Sequence, residues 1–74
     1  MTVAIDDATL VNWFTYHKPE GDQAKRYEEI RTAAAGFAKV IVDNTPASAD
    51  QTAAIRKVRE AVMTANASIA CGGK

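Results

Sequence analysis

The sequence predicts an all-α fold, a short N-terminal helix followed by an antiparallel helical hairpin that assembles into a homo-oligomeric helical bundle. Three observations predict it. Two long stretches carry apolar residues in alternating steps of three and four. A few residues around Thr45-Pro46 separate them, too few for anything but a tight reversal. Ahead of both, Leu10, Trp13 and Phe14 lie at i, i+3 and i+4 and share one helical face.

The first helix is expected from an N-cap at Asp6 or Asp7 through about Tyr16. His17-Lys18-Pro19-Glu20-Gly21-Asp22 interrupts it, because Pro19 disfavours helical geometry at Lys18 and Gly21 adds flexibility. From Asp22, a suitable N-cap, a long helix runs to about Asn44 with the stripe Tyr27, Ile30, Ala34, Phe37 and Ile41. Thr45-Pro46 ends it. Ser48 and Gln51 have the spacing of a capping box and open the second long helix, whose stripe is Ile55, Val58, Val62, Ala65 and Ile69. Cys71-Gly72-Gly73 ends that helix. Gly36 sits inside the first long helix among Ala33, Ala34, Ala35 and Ala38, where close packing of another helix is the favoured reason for a residue that costs about 1 kcal/mol relative to alanine.

Residues 1–74 read as a single small domain with a thin core. Apolar types make up 47% of the chain, but fifteen of those residues are alanine. Domains of this size usually need a disulfide, a metal or a partner chain. The lone Cys71 cannot form an internal disulfide and the lone His17 cannot build a metal cage, so self-association is the remaining route. Val40, Val42, Ala61 and Met63 lie off the two stripes and also require neighbours. No stretch has the roughly 20 apolar residues of a membrane span. The opening MTVAIDD has no signal-peptide character, so a cytoplasmic setting is expected.

The formal charge is zero, yet residues 1–50 hold five bases against eight acids and residues 51–74 hold four bases against Glu60 alone. That balance is too weak for a polymeric nucleic acid. Most bases have an acid three or four residues away: Asp22 with Arg26, Glu28 with Arg31, Lys39 with Asp43, Arg56 with Glu60. Arg59 has none, so the group Arg56-Lys57-Arg59 leaves positive charge uncompensated. Catalysis is not expected: Glu28 and Glu29 point about 100° apart, His17 has no nucleophile beside it, and there is no phosphate loop, metal spacing or dinucleotide fingerprint. No cofactor is expected either. Trp13, Phe14 and Tyr16 are followed at once by His17 and Lys18, which puts stacking surfaces beside a cation. Trp13 and Phe14 read as hydrophobic contacts. Tyr16, at the polar exit of the helix, is the candidate to stack on a base of a small nucleotide.

FTYHKPEGDQAKRYEEIRTAA together with PASADQTAAIRKVREAVMTANASIA resembles a bacteriophage family of anti-CBASS sponges, which capture the cyclic oligonucleotide messengers of bacterial immunity. The likeness runs over about residues 13–71, and its most specific pieces are Tyr16-His17 with Pro19, Gly21-Asp22-Gln23, Arg26-Tyr27, Ile30-Arg31 and Glu60-Ala61-Val62-Met63 with Ala65-Asn66-Ala67. The resemblance implies a hexamer that grips cyclic dinucleotides such as cyclic GMP-AMP between protomers in the cytoplasm of the infected host, and cleaves nothing. It further implies that Tyr16 stacks on the bases and Arg31 contacts the phosphates, with His17 and Lys18 adjacent. A separate pocket for cyclic trinucleotides near the threefold axis would fall to Asn66 and Ser68. Thr64 and Cys71 depart from the family's pattern there, where tryptophan and a basic residue are expected. The competing reading is a non-catalytic helical adaptor that binds a host or phage protein through its alanine-rich faces.

Overall fold

A computed structural model describes residues 5–74 and contains three helices, with no strand among those residues. α1 spans Asp7–Phe14, α2 Gln23–Asn44 and α3 Ala49–Ala70. α1 begins as the acidic cap predicts: the Asp6 carboxylate accepts the backbone N–H of Thr9 at 2.8 Å. It stops two residues before the expected Tyr16. Thr15 is extended (φ −96°, ψ 138°), and its hydroxyl donates to the Val11 carbonyl that a further turn would have used.

α2 and α3 pair as the hairpin. Gln51 decides the tightness of their turn, and it differs from the capping box the spacing suggests. Its backbone N–H does donate to Ser48 Oγ at 3.1 Å. Its side-chain amide, instead of returning to the cap, crosses the connection and donates to the Thr45 carbonyl and hydroxyl, both at 3.1 Å. Gln51 is therefore capped by Ser48 at the start of α3 while its side chain satisfies the end of α2. α3 ends in a Schellman arrangement: Gly73 N–H donates to the Ser68 carbonyl at 2.9 Å and Gly72 N–H to Ile69 at 3.2 Å, with both glycines at positive φ.

The seam follows the predicted stripes with one exchange. Tyr27, Ile30, Ala34 and Ile41 of α2 are half-buried, as are Ile55, Val58, Val62, Ala65 and Ile69 of α3. Phe37 is not in the seam: it is 59% exposed, and the half-buried position on that turn is Ala38. A 3.6-residue turn lets either position face the partner, and the small one permits the closer approach. Gly36 faces open space within the protomer. A methyl group built there would meet nothing within 4 Å, so none of the three described helices packs against it, and a helix that does must come from another copy.

Among the described residues none is fully buried. The chain exposes 6065 Å², against roughly 4,400 Å² for a folded monomer of its mass. Its radius of gyration is 15.6 Å, where a compact domain of this length would have about 11 Å. Val40, Val42 and Met63 are indeed exposed, along with Val11 and Phe14. Among the described residues no helix is long and apolar enough to cross a membrane.

Candidate functional site

α1 is fastened at the open end of the hairpin through Asn12 and Trp13. The Asn12 side-chain amide donates to the Cys71 carbonyl at 3.2 Å, and the Trp13 indole N–H donates to the Lys74 carbonyl at 2.9 Å. The Asn12 backbone carbonyl in turn accepts from His17 Nε2 at 2.6 Å. A carbonyl can only accept, so His17 carries its proton on Nε2 in this arrangement. Asn12 is thus the hub that joins α1, the following loop and the end of α3. Its polarity within an apolar turn was the available signal, and sequence reasoning passed over it.

This fastening leaves Tyr16 projecting from a constrained loop. The residue is 82% exposed, with extended backbone before it at Thr15 and His17 held behind it. Lys18 is exposed next to it. Beyond Pro19, Gly21 adopts φ 56°, a left-handed geometry that turns the chain into α2. Asp22 makes no side-chain cap bond, and the Gln23 side chain reaches back, its Oε1 accepting the Glu20 N–H at 3.0 Å and bracing the turn that leads into α2. Asp22 instead pairs with Arg26 at 3.3 Å.

Arg31 lies elsewhere on the protomer. It lines a groove on one side of the hairpin with Ala34, Ala35 and Ala38 from α2 and with Val62, Met63 and Arg59 from α3. Tyr16 lines neither this groove nor the large apolar one on which Phe37, Ile41 and Ala61 lie. Of the four predicted ion pairs, Asp22–Arg26 and Lys39–Asp43 form; among the described residues Glu28–Arg31 and Arg56–Glu60 do not. The basic run on α3 is also divided by helical geometry. Residues 57 and 59 stand about 200° apart around the axis, which sends Lys57 to the large apolar groove and Arg59 to that of Arg31.

Asn66 and Ser68 do not converge in the chain. Asn66 Oδ1 is buried without a hydrogen-bond partner. Ser68 is exposed and lines a groove with Trp13, Thr64 and Lys74. Among the described residues no three His, Cys, Asp or Glu side chains gather as a metal site would require.

The family described as "Acb2/Tad1, hairpin domain" matches residues 6–70, nearly the whole chain. The chain belongs to the Acb2/Tad1 family. It is a family of anti-CBASS cyclic-oligonucleotide sponges, in keeping with the resemblance read from the loop and the two helices. No curated protein and no solved structure matches the chain. An Acb2/Tad1 hairpin thus accounts for both long helices and the turn that Gln51 holds, and the family role in general is capture of cyclic oligonucleotide signals.

Proposed function

We propose that the protein sequesters cyclic dinucleotides, cyclic GMP-AMP among them, in pockets completed between the protomers of a hexamer, and returns them chemically unchanged. The observation that carries this reading is the exposed Tyr16, which contributes little packing among the described residues and sits on a loop fixed by Asn12 and His17. Arg31 supplies charge for the phosphates, and Lys18 adds a second cation near the stacked base. His17 chiefly holds the loop, since Nε2 is already committed to Asn12. Tyr16 and Arg31 line no common groove of the protomer, which supports a pocket whose halves come from different copies. The excess exposed surface supports the same assembly.

A second pocket for cyclic trinucleotides draws its support from Asn66, whose buried, unpartnered carbonyl oxygen needs a donor such as an adenine amino group or an amide of a neighbouring protomer. Calorimetric titration against a panel of cyclic dinucleotides and trinucleotides tests the proposal. Saturable binding of at least one cyclic dinucleotide is the expected result. Silence across the panel would leave the adaptor reading in possession of the exposed apolar faces.

A further inference from the structure

Arg59 was visible in the sequence as the one helical base of its group without an acid three or four residues away, and the fold gives it a location. It reaches the same groove as Arg31 from the opposite helix. Between the two arginines the groove, about 330 Å³, is floored by Ala34, Ala35 and Ala38 and walled by aliphatic side chains. Neither guanidinium takes part in an ion pair among the described residues. Like charges on one apolar groove repel one another, and an anion bound between them offsets that repulsion by attracting both. Each guanidinium also offers a planar fork that matches two oxygens of a phosphodiester. The alanine floor carries nothing beyond Cβ, so flat apolar parts of a ligand can rest on it while its charge lies at the arginines.

We propose that Arg59 is a second phosphate-contacting residue of the cyclic-dinucleotide site, one arm of a clamp whose other arm is Arg31. The proposal rests on the sponge reading above and adds to it a residue from α3. It also explains why Arg59 stands apart from Arg56 and Lys57, neither of which lines this groove.

The test is calorimetric titration of the full-length chain with a cyclic dinucleotide that the parent binds, using Arg59→Ala, Arg59→Lys, Arg31→Ala, the double alanine variant and Arg56→Ala. Loss of a charge-assisted hydrogen bond predicts that Arg59→Ala and Arg31→Ala each weaken binding about tenfold, whereas Arg56→Ala changes it less than about twofold. Arg59→Lys keeps the charge without the fork and loses less than the alanine variant. If both arms hold one ligand, the double variant loses less than the product of the two single losses, a coupling that a purely structural role would not produce. Sedimentation of each variant must match the parent. Parent-like affinity in Arg59→Ala, or a loss that tracks dissociation of the assembly, overturns the clamp while leaving the sponge intact. Failure of the parent to bind any cyclic dinucleotide overturns both.

Discussion

Tyr16 separates two accounts of the N-terminal segment at the scale of one ring. A residue 82% exposed contributes little to packing, so Tyr16→Ala should leave the melting temperature nearly unchanged. It should still remove roughly 1–3 kcal/mol of binding per stacked base. Tyr16→Phe keeps the π-face and should retain most affinity. Titration and thermal unfolding of the three proteins check this, and an alanine variant that binds like its parent contradicts the stacking role. Asp6 gives a pH test of the same segment. Hydrogen bonds from Thr9 hold its carboxyl below the ordinary value of 3.8, so the cap contributes fully above that pH and is lost as pH falls through the lowered folded value. Acid titration followed by amide exchange should show α1 fraying before the hairpin does. The Asp6→Asn variant, which keeps a capping oxygen without the charge, should remove most of that pH dependence. Fraying of α1 that is unchanged in the variant would assign the effect to another carboxylate.

At the scale of elements, the two long helices were legible because each carries a full apolar stripe between recognisable caps. What the stripe could not decide was which of two adjacent residues enters the seam, and Ala38 displaced Phe37 for reasons of size. The side chain of Gln51 was unreadable for a different cause: its partners in Thr45 are defined only once the turn has closed. Candidate site residues fared unevenly on the same principle. Tyr16, His17 and Lys18 are neighbours in sequence and stay together, whereas the companionship of Arg31 and Arg59 exists only in the hairpin. Gly36 yields a prediction for α2. Open space around it means that Gly36→Ala should gain the helix-propensity difference, about 1 kcal/mol, and raise the melting temperature. A fall in that temperature, or dissociation seen by sedimentation, would place Gly36 against a neighbouring chain.

The whole molecule is explained by surface without a core. With no fully buried residue among those described and roughly 1,700 Å² more exposed area than a monomer of its mass should have, the isolated chain buries too little to fold stably alone. Sedimentation at micromolar concentration should therefore find a discrete oligomer, a hexamer on the proposed assembly, and a well-folded monomer would contradict it. Ala61→Glu, which places a charge on the large apolar groove, should dissociate the oligomer. Assembly and capture meet in the central claim that the protein binds a cyclic dinucleotide and does no chemistry on it. Saturating the protein with cyclic GMP-AMP, removing free ligand, denaturing the complex by heat and weighing what is released by mass spectrometry tests that claim most directly. Sequestration releases the intact cyclic dinucleotide in a fixed ratio to protomers; recovery of a linear or smaller product, or of no nucleotide at all, would rule it out.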